Sequence, residues 1–270
     1  MQYLQLNVST ASLQDYEVDL LVWQLGTIGY ESFETEPGML HAYIPKTAYD
    51  AESLKPLLSQ PYQVELLPDK DWNEEWEKNF FQPIVIAGEC VVHSTFHKDV
   101  PKARYDIAIN PQMAFGTGHH ATTSSMMAWI LEDPFAGKAV LDMGCGTAIL
   151  GILAAMRGAD PVTGIDVDDW CIRNGAENCA LNGVSIELLL GNADSLKGRR
   201  FDIVLANINR NILLSDMHAY ADTLPAGGVL YMSGFYTEDV PLIAAEAARL
   251  GLRQAGVKEK DNWVAVKFVK

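Results

Sequence analysis

The sequence predicts an α/β protein: a doubly wound, largely parallel sheet of seven strands, preceded by a small N-terminal α+β module of ferredoxin-like order. Three observations predict it. From Gly137 onward, short apolar runs alternate with helical patterns across glycine turns, as in a parallel sheet covered by helices on both faces. The last stretch breaks that alternation, because residues 252–259 and 263–269 flank Lys260-Asp261-Asn262 as the arms of an antiparallel hairpin do. The first 68 residues carry six short elements in the order βαββαβ.

The elements follow from local pattern. Residues 3–8 alternate in polarity like a half-buried strand, and residues 13–25 place apolar side chains at helical spacing before Gly26 and Gly29 stop the helix. Residues 30–36 and 40–44 are strand-like on either side of Pro37-Gly38, a turn signal. Residues 48–58 suit a helix and 62–67 a closing strand. A connecting helix is expected over 69–82, with Asp71 as N-cap and Trp72 and Trp76 on one stripe packed against a neighbouring domain. Residues 83–95 and 105–110 look extended. Strands of the main sheet are expected at 139–141, 162–165, 186–190, 203–206 and 229–232, with the hairpin completing seven. The expected organisation is therefore a domain over 1–68, a linker helix over 69–82 and the large α/β domain over 83–270.

Composition narrows the class. The chain has 270 residues and a formal net charge of −15, which repels phosphate backbones and attracts cationic partners. A basic partner is expected rather than a nucleic acid. No apolar stretch approaches the ~20 residues of a membrane helix, and the N-terminus lacks a basic segment followed by an apolar run. A cytoplasmic monomer is expected. Cys90, Cys145, Cys171 and Cys179 are scattered without zinc-ligand spacing; they read as reduced and structural. Arg199-Arg200 reads as a solvated turn.

The motif richest in chemistry is Val140-Leu141-Asp142-Met143-Gly144-Cys145-Gly146-Thr147. A buried strand ends in a turn whose glycines, Gly144 and Gly146, let a ligand approach the backbone. A dinucleotide site would carry a third glycine where Ile149 stands, and Asp142 would repel a pyrophosphate. The same acid can accept hydrogen bonds from a cationic amino-acid moiety, directly or through water. The pattern points to a phosphate-free, cationic nucleoside, and S-adenosylmethionine has that chemistry. Asp166 stands at the end of the second strand, about 20 residues beyond Gly146, where such folds place a carboxylate on the ribose hydroxyls. Asp168 suits a helix N-cap. Asn192 or Asp194, after the third strand, is a candidate adenine contact. Asn207 closes the fourth strand, where its amide can hold the cofactor, orient an attacking amine or cap a helix. Upstream, the segment from Asn110 to Thr123 is dense in glycine, hydroxyl and imidazole groups before a helix, so Thr123 is a candidate helix cap, methionine contact or both. His119 and His120 are sequence neighbours whose side chains diverge, and no metal site is expected.

Together, the segment from Met113 to Thr123, the glycine loop and Ala206-Asn207-Ile208 resemble the PrmA family, the methyltransferases of large-subunit ribosomal protein eleven. The resemblance covers nearly the whole chain. It implies a class I methyltransferase sheet, transfer of methyl groups from S-adenosylmethionine to lysine and N-terminal amines of that protein, and substrate recognition by the N-terminal module. It also implies that Thr123, Gly144, Asp166 and Asn207 bind the cofactor. The chain departs from the common form at Ala148, where glycine is frequent, with little consequence expected. Methyl transfer is an in-line displacement, so alignment dominates and no covalent intermediate is needed. Asn207 and the loop bearing Phe115 and His119 are expected to orient the amine, with water taking its proton. The competing readings are a methyltransferase of another lysine or of a nucleic acid, and a nicotinamide oxidoreductase or non-catalytic nucleotide module.

Overall fold

The computed structural model describes residues 3–11, 13–30, 32–36, 38–58, 60–66, 82–110 and 120–270. It divides into two compact units, Met1–Phe80 and Phe81–Lys270. The expected linker helix and the loop carrying Phe115 and His119 lie outside the described residues.

The first unit contains β1 (Tyr3–Ser9), α1 (Asp15–Thr27), β2 (Ser32–Glu36), β3 (Met39–Pro45), α2 (Ala51–Leu54) and β4 (Tyr62–Leu66). The strands form an antiparallel sheet in the order β2-β3-β1-β4, the ferredoxin-like arrangement expected. Alternation in β1 sets the register: Leu6 and Val8 face the core opposite Ala42 and Leu40, and all four are fully buried beside Leu21, Leu25 and Leu54. Two boundaries differ from expectation. Gly26 lies inside α1 rather than ending it, and the chain turns away at Gly29, whose φ is +98°. The helix expected over 48–58 is a single turn followed by a 3-10 segment, Lys55–Leu57. Asp50 caps it by accepting the Glu52 N–H at 3.0 Å, and Pro56 has no N–H with which to continue it.

The second unit opens with β5 (Ile84–Ile86), β6 (Cys90–His93) and β7 (Tyr105–Ala108), a three-stranded sheet. Residues 83–95 are thus a hairpin rather than one extended run, turned by Ala87 and Gly88, both at positive φ. Then come α3 (Ala121–Glu132), β8 (Val140–Met143), α4 (Ile149–Met156), β9 (Val162–Asp166), α5 (Asp169–Leu181), β10 (Glu187–Leu190), β11 (Ile203–Asn207), α6 (Arg210–Thr223), β12 (Val229–Tyr236), α7 (Val240–Arg249), β13 (Arg253–Lys260) and β14 (Trp263–Val269). The main sheet has seven strands in the order β10-β9-β8-β11-β12-β14-β13. The first five are parallel, and β14 runs antiparallel to both neighbours.

Side chains alternate across this sheet. Val140 and Leu205 join one core with Ile130, Ile152 and Leu153, while Leu141, Val204 and Ala206 join the other with Leu213, Met217 and Ile243. A strand buried on both faces is largely apolar, which is why β8 and β11 read as apolar runs broken only by Asp142 and by the terminal Asn207. Strand β12 continues four residues past the expected end, through a register shift between Ser233 and Phe235. No described helix is long and apolar enough to cross a membrane.

Candidate active site

The chain leaves β8 toward β9 on one side of the sheet, and leaves β11 toward β12 on the other. At such a switch point the loops after the two strands diverge and open a crevice at the carboxyl edge. Adjacent strands β8 and β11 bring the glycine loop and Asn207 to that edge, with Ala206 paired to Met143.

Backbone hydrogen bonds shape the glycine loop. The N–H groups of Gly144 and Cys145 both donate to the Ile165 carbonyl, at 2.8 and 3.1 Å. The Asp166 carboxylate accepts the Gly146 N–H at 2.9 Å and the Asp168 N–H at 3.1 Å. Asp166 is therefore an organiser of the loop as well as a ribose candidate, since each oxygen keeps a second lone pair. Gly144 sits at φ +69°, and a Cβ there would lie 2.3 Å from Cγ2 of Ile208. Ala148 has φ +63° directly before α4. The left-handed region disfavours a Cβ by roughly 1–2 kcal/mol, so the absence of glycine at this position has an energetic consequence that its small size does not suggest. Burial pushes the Cys145 thiol well above its usual range, which makes it packing rather than a nucleophile.

Asp142 is fully buried. Its Oδ2 accepts the Gly151 N–H at 2.9 Å, while Oδ1 meets no donor among the described residues. Burial pushes its pKa up to about 7, against the lowering effect of the Gly151 bond and with a further upward contribution from Asp166. In the unfolded chain the group ionises near pH 4, while the fold keeps it protonated to about 7. Its contribution to stability is therefore fully present at low pH, declines as pH rises between those values and is flat above them. The whole change is on the order of 4 kcal/mol. Urea unfolding of wild type and Asp142→Asn should show the variant gaining on wild type as pH rises from 4, most of the gain falling below pH 7 and the difference levelling off above it. A constant difference would mean that Asp142 is ionised throughout.

At the end of β11, Asn207 donates from Nδ2 to the Thr123 hydroxyl at 3.2 Å. Thr123 is buried inside α3; its expected role as helix cap belongs instead to His120, whose ring accepts the Thr122 N–H. Nor does Asn207 cap a helix, because Asn209 caps α6 by accepting the Ile212 N–H at 3.1 Å. Asp168 caps α5 through the Trp170 N–H, as its position suggested. The Gly191 N–H donates to the Asp166 carbonyl at 2.8 Å, which holds the Asn192 loop beside Asp166. There Asn192 accepts the Asp194 N–H, and Asp194 is exposed and paired with Lys197 at 3.0 Å. In the Arg199-Arg200 turn Arg200 is exposed, as expected, and donates to the Asp222 carbonyl, while Arg199 is part-buried and pairs with Glu187 at 2.7 Å.

Two features of the crevice were not read from the sequence. Gly234, in β12, has φ +99°, and a Cβ there would lie 2.1 Å from the Ile208 carbonyl oxygen; a glycine inside a strand pattern was the available signal. Near it, Tyr236 and Trp263 are paired across β12 and β14 with ring centroids 4.1 Å apart.

The family model described as Ribosomal protein L11 methyltransferase (PrmA) matches residues 14–270. The chain belongs to the PrmA family. Relatives called Ribosomal protein L11 methyltransferase from Phocaeicola vulgatus and Bacteroides fragilis are 51% and 52% identical to it, over all of this chain and 99% and 100% of their own. A crystal structure of ribosomal protein L11 methylase from Lactobacillus delbrueckii subsp. bulgaricus is similar with a TM-score of 0.65 at 26% identity, over 70% of this chain and 99% of that one. The resemblance seen in the upstream loop, the glycine loop and Asn207 is thus borne out. So is the class I sheet, and membership of PrmA makes the protein a methyltransferase.

Proposed function

We propose that this enzyme transfers methyl groups from S-adenosylmethionine to lysine side chains and the N-terminal amine of large-subunit ribosomal protein eleven. The observation that carries the reading is the buried Oδ1 of Asp142, an acceptor without a donor among the described residues, at the foot of a glycine loop on the strand beside the one that ends in Asn207. That free acceptor fits a ligand with an ammonium group and no phosphate, and the printed names of the full-length relatives supply the protein substrate.

In this reading the Gly144 and Gly146 backbone admits the cofactor, Asp142 faces its ammonium end and Thr123 its methionine part. Asp166 holds the ribose, and Asn192 or Asp194 meets the adenine. When bound, S-adenosylmethionine supplies a methyl carbon activated by a sulfonium. A lysine amine with an ordinary pKa near ~10.4 has to lose its proton first, and a partly desolvated crevice lowers that pKa. Asn207 orients the neutral amine by accepting from its N–H, and water takes the proton. Phe115 and His119, outside the described residues, are assigned to the same orienting loop. Residues 1–68 recognise the protein substrate, with 69–82 as the connecting helix and 83–270 as the catalytic domain. A ribosomal substrate places the reaction in the cytoplasm, and a monomer suffices because every assigned group comes from one chain.

The test is incubation with methyl-labelled cofactor and the purified large-subunit proteins, followed by mass spectrometry. The expected result is label on lysine and N-terminal nitrogens of ribosomal protein eleven. Label confined to another protein, or to ribosomal RNA, would replace the substrate.

A further inference from the structure

We propose that the face of Tyr236, braced by Trp263, is a cation–π platform that retains the substrate nitrogen between successive methyl transfers, so that Tyr236 determines how many methyls are added. The inference rests on the amine-methylating reading above and concerns what happens after the first transfer.

The geometry places the ring pair beside the reacting edge. Asn207 reaches Thr123, and one helical turn earlier in the same helix His120 meets the Trp263 ring edge-on, with centroids 4.8 Å apart and planes at 68°. Trp263 is half-buried and packs against Tyr236 at 4.1 Å, and Tyr236 remains 40% exposed. The backbone beneath is fixed. The Tyr236 N–H donates to the Asp239 carboxylate at 3.2 Å, and Asp239 is held in an ion pair by Arg210 at 2.5 Å. Next along the chain, the Thr237 N–H donates to the Asn262 carbonyl at 3.1 Å, tying the end of β12 to the turn before β14. Tyr236 is thus a large, 40% exposed aromatic side chain on a strand end tied down by backbone hydrogen bonds, with Trp263 as its ring partner among the described residues.

Chemistry gives the Tyr236 ring face a task. Each transfer forms an N–C bond with the nitrogen lone pair and breaks the S–C bond, the sulfonium becoming a thioether. A proton left on nitrogen passes to water before the next transfer. Every methyl added removes an N–H that Asn207 could accept, so hydrogen bonding to the amine weakens as methylation proceeds. Attraction between a cation and an aromatic face needs no N–H and persists up to a quaternary ammonium. Tyr236 therefore holds best the species that Asn207 holds least.

The experiment follows the mono-, di- and trimethyl products of ribosomal protein eleven by mass spectrometry for wild type, Tyr236→Phe and Tyr236→Leu, with S-adenosylhomocysteine affinity measured in each. A cation–π contact of this exposure corresponds to roughly a three- to ten-fold difference in retention. Tyr236→Phe should give the wild-type distribution. Tyr236→Leu should shift product toward monomethyl by that factor, read as the second-transfer rate relative to the same variant's own first-transfer rate. Tyr236→Gln serves as the second variant should the leucine form fold poorly, and the same shift is expected of it. An unchanged distribution in the leucine and glutamine variants overturns the proposal, as does an equal shift in Tyr236→Phe, which would assign the effect to the hydroxyl. A wild-type enzyme that stops at one methyl also overturns it while leaving amine methylation intact. Absence of any methylation by wild type instead overturns the function proposed above.

Discussion

Asn207→Ala is expected to lower methyl transfer by roughly two orders of magnitude, the scale on which removing one group that aligns or stabilises a reacting centre is felt. Stability should hardly change. Among the described residues the amide makes one side-chain hydrogen bond, to Thr123 at 3.2 Å, and a bond of that kind contributes about 1 kcal/mol. The backbone of Asn207 stays in register with Ser233 whatever its side chain. Initial rates with labelled cofactor, urea midpoints and S-adenosylhomocysteine affinity separate the effects. If the amide orients the amine, the rate falls with the affinity nearly intact; if it holds the cofactor, both fall. Turnover at the wild-type rate would remove Asn207 from the reacting centre.

Gly234→Ala should be the most destabilising small substitution in the sheet domain, by about 3 kcal/mol or more, because it combines a disfavoured φ with a backbone collision. The new Cβ would stand 2.1 Å from the Ile208 carbonyl oxygen and 2.7 Å from its carbonyl carbon. No side-chain rotation relieves contact with a backbone. Ile208 cannot retreat freely either, since its Cγ2 already fills the space that a Cβ on Gly144 would need. The residue following Asn207 is wedged between two glycines, one in the loop after β8 and one in β12. The collision should therefore displace Asn207 and weaken homocysteine-compound binding as well. Gly251→Ala is the control, with φ +78° and nothing within 4 Å of its Cβ, so only the conformational cost of roughly 1–2 kcal/mol is expected. If unfolding midpoints show Gly234→Ala no worse than Gly251→Ala, the wedge does not constrain the site.

The difference between what was legible and what was not follows the range of the interactions. The five parallel strands, the closing hairpin and the βαββαβ module were legible because alternation and helical spacing are set by residues a few positions apart. The roles sought for Gly144, Asp166 and Asn207 were legible in part, since a strand followed by glycine, acid or amide marks the carboxyl edge of a parallel sheet. Boundaries drifted where a local competitor was overlooked, as with the Asp50 cap and Pro56 in the shortened second helix.

By itself the sequence determined the order of elements and the family, and it placed the candidate residues at the carboxyl edge of the parallel strands. Only the tertiary structure decided that Oδ2 of Asp142 is spent on Gly151 while Oδ1 is not, that Asp166 binds the loop it faces, and that Ile208 is clamped between Gly144 and Gly234. It likewise brought Tyr236 to Trp263. Each of these is a distance between residues brought together by sheet order and strand register. A periodicity measured along the chain carries no information about which strand will lie beside which, and the chemistry of the crevice is decided by that adjacency.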